Sequence, residues 1–450
     1  MRDLSKIVKA YDIRGVVPDE LDADTAKAIG AAFIAFTKAP KIVIAHDMRE
    51  SSVPLAQAFA DGATSQGADV VLAGLASTDM IYFAAGSLDI PGVMLTASHN
   101  PAQYNGIKLC LAGAKPVGQE TGLAEIRALA EKGLPAFDGV PGTITEHDLV
   151  DDYTVFLRQL VDLTNIRPLH VVVDAGNGMG GYTVPHVLKN LPLEVVPMFF
   201  ELDGNFPNHE ANPIDPKNLV DLQAKVLQTK ADVGLAFDGD ADRCFVVDER
   251  GAIVSPSVIT ALVAVRELKK SPGSAIIHNL ITSKAVAEIV REHGGTPVRS
   301  RVGHSFIKAM MGETNAVFGG EHSGHFYFRD FWRADSGMLA ALHVLAALGE
   351  TAEGTTLSHL LAEYSRYVAS GEINSTVDDQ AGAIAAVRAK YFGASDVTID
   401  DLDGMTVTAP TWWFNLRPSN TEPLLRLNVE ADDQPTLDRV RDEVLAVIRG

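Results

Sequence analysis

The chain has 450 residues, 46% hydrophobic and 21% charged, with a formal net charge of −20. A surface that acidic repels nucleic acid and anionic membranes, and no apolar run approaches the roughly 18 residues a bilayer span needs, so neither is an expected partner. Cys110 and Cys244 alone make no disulfide framework, and Met1-Arg2-Asp3-Leu4-Ser5-Lys6 lacks the apolar core of a secretory signal, so a reducing cytoplasm is the expected location.

At roughly 150 residues per domain the length suggests about three domains. Lys9-Ala10-Tyr11-Asp12-Ile13-Arg14-Gly15 reads as a strand-like opening with a charged turn. Ala26, Ile29, Phe33 and Phe36 then recur at helical spacing, predicting a helix over 24–37 capped by Asp22 or Asp24. Lys41-Ile42-Val43-Ile44-Ala45 is a buried strand that ends in the polar loop 46–52, and a helix restarts near Pro54. Residues 69–73 form the next strand, followed by a short helix and the strand Val93-Met94-Leu95. The same order of strand, polar loop, helix and strand recurs from His170 and again from Ala275. Three such copies argue for related mixed α/β domains with largely parallel sheets.

In each copy a further strand ends in a polar loop: 96–105 in the first, 238–243 after the strand 233–237, and 319–325 after the strand 316–318. Ligands in open α/β sheets gather at the carboxyl ends of strands. From about Ser370 the order becomes strand, helix (379–391), strand pair and terminal helix (434–448), a smaller C-terminal α+β domain. The expected division is 1–148, 149–250, 251–369 and 370–450.

Pro101 cannot continue a strand ladder, so Thr96-Ala97-Ser98-His99-Asn100-Pro101 must turn. That leaves Ser98 at a strand end beside His99, placed either to attack or to carry a transferred group; a plain helix-capping turn is the other reading. Asp238-Gly239-Asp240-Ala241-Asp242 puts three carboxylates at alternate positions, on one side of an extended loop, where their oxygens can converge on one hard cation such as Mg²⁺. An EF-hand would need Glu249 as its twelfth residue, but Phe245-Val246-Val247 continues as a strand instead. Arg243 is either the counter-ion of these carboxylates or a phosphate ligand.

Glu321 and Ser323, in Gly320-Glu321-His322-Ser323-Gly324-His325, pair a carboxylate with a hydroxyl and so can hold adjacent sugar hydroxyls. Arg417-Pro418-Ser419-Asn420-Thr421 offers a guanidinium, two hydroxyls and an amide for a phosphate dianion. A net charge of −20 repels a phosphate ester, so its site needs local cations; Arg14, Lys108, His99 and His304 are the candidates, each with a surface salt bridge as its alternative role.

With these four motifs in order, the sequence resembles the α-D-phosphohexomutase superfamily over essentially its whole length. The resemblance implies four domains around a central cleft and a phosphoryl group on Ser98. Mg²⁺ would be held by Asp238, Asp240, Asp242 and an oxygen on Ser98. Tyr11, Arg243, Glu321, Ser323 and His325 would contact the sugar phosphate, and Arg417, Ser419, Asn420 and Thr421 the non-reacting phosphate. Ser98, His99, Lys108, Arg14 and His304 would carry the chemistry, with Lys108, His304, Arg14 and His325 the acid–base candidates. The implied reaction interconverts hexose 1- and 6-phosphates through a hexose 1,6-bisphosphate.

His322 and Asn420 are similar to the phosphomannomutase/phosphoglucomutase branch; phosphoglucosamine mutases typically carry glutamine and glycine there. Some relatives place a lysine where this chain has Asn279-Leu280-Ile281, which puts a cation at that point in doubt. The expected activity is interconversion of mannose 1- and 6-phosphates, with glucose phosphates also accepted. The alternatives are a glucose or glucosamine phosphate mutase, or a Mg²⁺-dependent sugar phosphatase in which water takes the phosphoryl group. The expected assembly is a monomer or homodimer binding hexose phosphates.

Overall fold

The structure, a computed structural model, describes residues 3–394, 396–418 and 424–450, with the backbone alone at 304 and 305. It divides into two compact units, each built from two stretches: Met1–Ile259 with Ser323–Leu360, and Thr260–His322 with Leu361–Gly450.

The first unit opens with a sheet in the order Ile13–Val16, Tyr104–Leu111, Gly92–Leu95, Lys41–His46, Asp69–Leu75, Ile144–Glu146. Lys41–His46 lies parallel to both Asp69–Leu75 and Gly92–Leu95, as the alternation of strands and helices predicts. The helix Ala23–Thr37 buries Ala26, Ile29 and Phe33, and Asp22 caps it by accepting from the Thr25 N–H at 2.7 Å. Pro54 falls in the first turn of Ser52–Thr64, where a missing N–H leaves no bond unmade.

A second sheet runs Ile253–Val254, Cys244–Asp248, Val233–Phe237, Leu169–Asp174, Leu193–Met198. All five residues of Val233–Phe237 are buried, as expected of a strand covered on both faces. The sheets are less uniformly parallel than the alternating pattern suggests. Gly92–Leu95 pairs antiparallel with Tyr104–Leu111, and Val233–Phe237 antiparallel with Cys244–Asp248. The reason is loop length: the connections 96–103 and 238–243 are too short for the dozen or so residues of a parallel crossover. Both chemistry-bearing loops therefore span adjacent antiparallel strands, with both ends fixed. The unit also contains Gly337–Gly349, a helix buried on every side and capped by Ser336.

In the second unit Ala275–Asn279 lies parallel to Thr296–Ser300 and Phe318–Gly320. The last strand starts later than its expected 316–318. The chain leaves the preceding helix through Asn315 in the left-handed region (φ 51°), and the strand takes in Gly319 and Gly320. The Val317 N–H still reaches the Ala275 carbonyl at 3.1 Å. The C-terminal sheet, Val368–Thr376, Leu424–Ala431, Trp412–Pro418, Met405–Thr408, Thr398–Asp400, is antiparallel throughout. Helices Gln380–Tyr391 and Gln434–Arg449 bury Val387, Val440 and Val444 with Phe414 and Leu427 in one core.

Candidate functional site

Ser98 sits in the left-handed region at φ 51°, an uncommon conformation for a residue with a side chain. Its own N–H donates to Thr96 Oγ1 at 2.9 Å. Its hydroxyl reaches 140 residues along the chain to donate to Asp238 Oδ2 at 2.9 Å. The two loops touch at the backbone too: a Cβ built on Gly239 would lie 2.3 Å from the Ser98 carbonyl oxygen. Glycine is therefore required between the first two carboxylates for close approach.

Asp238, Asp240 and Asp242 are all buried, with carboxylate oxygens within 4.8 Å of one another. Among the described residues, Asp240 Oδ1 and Asp242 Oδ1 are buried without a hydrogen-bond partner. Unsatisfied buried carboxylate oxygens are costly, and an all-oxygen donor set suits a hard divalent cation. The residues present fit such an ion.

Lys108 Nζ lies 2.6 Å from Asp240 Oδ2 and 2.7 Å from Asp242 Oδ2. Burial would depress this ammonium, but Asp240 and Asp242 outweigh it and hold its pKa well above the ordinary lysine value. Lys108 is thus a fixed cation. Burial also opposes the charge on Asp240, yet Lys108 outweighs it and keeps the carboxylate ionised. Thr78 Oγ1 adds a hydrogen bond to Asp240 Oδ2 at 2.6 Å. Asp238 moves the other way, raised by burial against the pull of Arg243.

Arg243 donates from Nε to Asp238 Oδ2 at 2.9 Å and from Nη2 to His99 Nδ1 at 2.7 Å. An arginine N–H only donates, so His99 Nδ1 accepts and its ring proton belongs on Nε2. Burial, reinforced by Arg243, drives the His99 pKa well below its ordinary value, consistent with a neutral ring. Ser98 Oγ lies 3.2 Å from the same Nδ1. Arg14 donates to the Asn100 side chain and, at 2.5 Å, to Asp12, while its buried Nε–H has no hydrogen-bond partner among the described residues. His325 Nδ1 is 3.1 Å from Ser323 Oγ, and its Nε2 is 3.7 Å from Asp242 Oδ1 and 3.9 Å from Asp335 Oδ2. Arg14, Lys108 and Arg243 are thus brought together at the loops that carry Ser98 and the carboxylates.

The remaining candidates fall at the start of the first unit, in the second unit or outside the described residues. Tyr11 is half-buried at the turn before Ile13–Val16. In the second unit Glu321 is 3% exposed, and its Oε1 accepts from Asn279 Nδ2 and the Gly303 N–H, both at 3.2 Å. Leu280 and Ile281 are buried against Trp413, so the 279–281 segment supplies packing and an amide rather than a cation. Arg417 pairs with Glu372 at 3.0 Å through Nη2, and its buried Nε–H has no hydrogen-bond partner among the described residues. Ser419, Asn420, Thr421 and the His304 side chain lie outside the described residues.

Four stretches of the chain match the phosphoglucomutase/phosphomannomutase descriptions: alpha/beta/alpha domain I over 5–135, domain II over 151–251, domain III over 255–367 and the C-terminal domain over 372–447. The chain belongs to the phosphoglucomutase/phosphomannomutase family. It is 42% identical to an Escherichia coli phosphomannomutase, covering 98% of each chain. It is 38% identical to a Pseudomonas syringae pv. tomato phosphomannomutase/phosphoglucomutase, covering 97% of this chain and 93% of that one. The crystal structure of a family protein from Burkholderia thailandensis superposes with a TM-score of 0.87 at 37% identity, covering 100% of this chain and 98% of that one. The fold class is accordingly that of the family, three α/β/α domains followed by a distinct C-terminal domain. Among the described residues no helix is long and apolar enough to cross a membrane.

Within this family frame, sequence reasoning missed several residues that build the site. Thr78 bonds Asp240, and its N–H donates to the Asp240 carbonyl at 2.9 Å. Asp79, fully buried, accepts from Tyr153 at 2.7 Å, Ser336 at 2.6 Å and Ser77. Asp47 and Arg49 form a buried ion pair at 3.2 Å beneath the Ser98 loop. The available signal was position: 46–52 is a polar loop at the carboxyl end of a buried strand, like the loops that were singled out.

Proposed function

We propose that the chain is a phosphomannomutase, interconverting mannose 1-phosphate and mannose 6-phosphate, and that it also acts on glucose phosphates. The observation that carries this reading is the Ser98 hydroxyl, 2.9 Å from Asp238 inside a buried carboxylate cluster flanked by Lys108 and Arg243. A sensor of sugar phosphates has no use for such a serine.

In the proposed cycle Ser98 carries a phosphoryl group. A hexose monophosphate hydroxyl attacks the phosphorus, a new P–O bond forms to the sugar, and the bond to Ser98 Oγ breaks. The hydroxyl proton passes to a base, for which we assign His325, whose Nε2 faces Asp242 and Asp335. The hexose 1,6-bisphosphate then turns over in the site and returns its other phosphoryl group to Ser98. Lys108, 2.6 Å from Asp240 and 2.7 Å from Asp242, acts as a cation near the transferring group. Arg14 and Arg243 contribute further positive charge, with the Arg14 Nε–H available to a phosphate oxygen. Asp238, Asp240 and Asp242 would hold Mg²⁺ together with an oxygen on Ser98, and the ion would supply charge neutralisation for phosphoryl transfer. Glu321 and Ser323 bind the sugar hydroxyls in either orientation, aided by Tyr11. Arg417, Ser419, Asn420 and Thr421 bind the phosphate that is not reacting, and His99 and His304 complete the catalytic set. The proposed division into domains is 1–148, 149–250, 251–369 and 370–450, in a cytoplasmic monomer or homodimer.

The test is incubation with mannose 1-phosphate, Mg²⁺ and a trace of glucose 1,6-bisphosphate, followed by ³¹P NMR. Mannose 6-phosphate is expected. Release of inorganic phosphate without isomerisation would make the protein a phosphatase, and a much faster rate on glucosamine 1-phosphate would move it to the glucosamine branch.

A further inference from the structure

Arg49 is 2% exposed and lies under the Ser98 loop. A guanidinium has five N–H donors, and here every one is used. Nε donates to Asp47 Oδ2 at 3.2 Å. Nη1 donates to the carbonyls of Pro101 at 2.9 Å and Tyr104 at 3.0 Å. Nη2 donates to the carbonyls of Ser98 at 2.9 Å and Asn100 at 2.6 Å. Four carbonyls along 98–104 are thus gathered onto one rigid, planar cation.

The cation is itself immobilised. Asp47 is buried, and its Oδ1 accepts the Arg49 N–H at 3.0 Å and the Ser52 hydroxyl at 2.5 Å. The guanidinium carbon lies 5.1 Å from the centre of the Phe206 ring. A Cβ on Gly204 would come 2.8 Å from Arg49 Cα, so the segment carrying Phe206 presses directly on this residue.

We propose that Arg49 is a positioning residue for phosphoryl transfer: it holds Ser98 in its left-handed conformation, and so fixes Oγ against the Asp238 carboxylate. The inference rests on the mutase reading above. Arg49 acts only through the Ser98 loop, since all of its donors are spent on that loop and on Asp47. Lysine has the charge but one nitrogen and three donors, so it cannot gather four carbonyls. In-line transfer is sensitive to placement, and a shift of about 1 Å can cost about 10²-fold in rate.

The experiment compares wild type, Arg49→Lys, Asp47→Asn and the core truncation Ile29→Ala, a fully buried position in the same domain. Three quantities are measured: kcat and KM for mannose 1-phosphate, the single-turnover rate at which glucose 1,6-bisphosphate phosphorylates Ser98 (by intact mass, starting from dephosphorylated protein), and the melting temperature. Arg49→Lys is expected to lower kcat and the labelling rate together by about 10²-fold, with KM within about 3-fold of wild type. Asp47→Asn, which loosens Arg49 without removing it, is expected to lower both by roughly tenfold. Ile29→Ala is expected to lower the melting temperature while leaving both rates at the wild-type level. If Arg49→Lys does not fold, Asp47→Asn carries the test, and wild-type rates for it overturn the inference. Wild-type labelling by Arg49→Lys does the same, as does a rate loss in Ile29→Ala that tracks melting temperature as steeply as in the other variants. Absence of label on wild-type Ser98 would instead overturn the mutase reading, and this inference with it.

Discussion

The α-carbon of Gly239 faces the carbonyl oxygen of Ser98 so closely that an added methyl group would sit 2.3 Å from it. That oxygen belongs to the backbone and is already held by Arg49 at 2.9 Å, so it cannot swing aside. Gly239→Ala should therefore push the carboxylate loop off the serine loop. The expected outcome is a stability loss of about 1–3 kcal/mol and a fall in kcat of about 10²-fold. Steady-state rates alongside thermal melts check it; a folded variant with wild-type kcat would show that the close approach is dispensable.

On the proposed cycle, Ser98→Ala removes the oxygen that would receive and donate the phosphoryl group. Turnover should disappear, while hexose phosphate binding by calorimetry and the melting temperature stay near wild type. The hydroxyl's partners are polar side chains, Asp238 and His99 among them, so its loss leaves no apolar cavity. Near-full activity in this variant would end the phosphoserine mechanism.

Asp240 is bound by both Thr78 and Lys108, and its second oxygen has no hydrogen-bond partner among the described residues. Asp240→Asn should raise the Mg²⁺ concentration needed for half-maximal activity by tenfold or more and lower the maximal rate. Chelation of wild type should abolish activity, and added Mg²⁺ should restore it. An unaltered Mg²⁺ titration in the variant would remove Asp240 from the metal site.

Asp79 gives a pH dependence with a definite sign. Burial raises its pKa from 3.8 to about 6, against the lowering effect of the Ser336, Ser77 and Tyr153 hydroxyls. Between these values the native state holds a proton that the unfolded chain has released. This contribution to stability is full below about pH 4 and is lost as pH rises through about 6. Asp79→Asn does not titrate. Its stability relative to wild type should therefore improve by about 2 kcal/mol between about pH 4.5 and pH 7. Paired melts at the two pH values check this; a constant difference would show that Asp79 does not titrate in that window.

Much of this site is legible in the sequence because its chemistry is carried by contiguous residues. Ser98 beside Pro101, and three aspartates at alternate positions, announce themselves whatever the tertiary structure. What stayed hidden depends on distant pairing. Thr78 matters because it meets Asp240, 162 positions away, and Arg49 because its fork meets carbonyls, which leave no trace in side-chain pattern. Strand direction was similarly hidden, since apolar runs look alike in parallel and antiparallel pairs, although the short connections 96–103 and 238–243 already required antiparallel partners. The chain's own acidity was informative in a different way. A surplus of negative charge made a local cluster of cations necessary, and Arg14, Lys108 and Arg243 supply it.

The discontinuous make-up of the first unit bears on how the protein matures during synthesis. Ser336 reaches back to Asp79, and the Cys244 N–H binds the Gly324 carbonyl, so the scaffold around Ser98 and the aspartates incorporates residues made after 322. A nascent chain halted at Ile259 would hold Ser98 and all three aspartates yet lack the Gly324 carbonyl and the Ser336 hydroxyl, one of the donors to Asp79. The bonds that close this scaffold are therefore among the last to become available during synthesis, after Asp238, Asp240 and Asp242 have all been made.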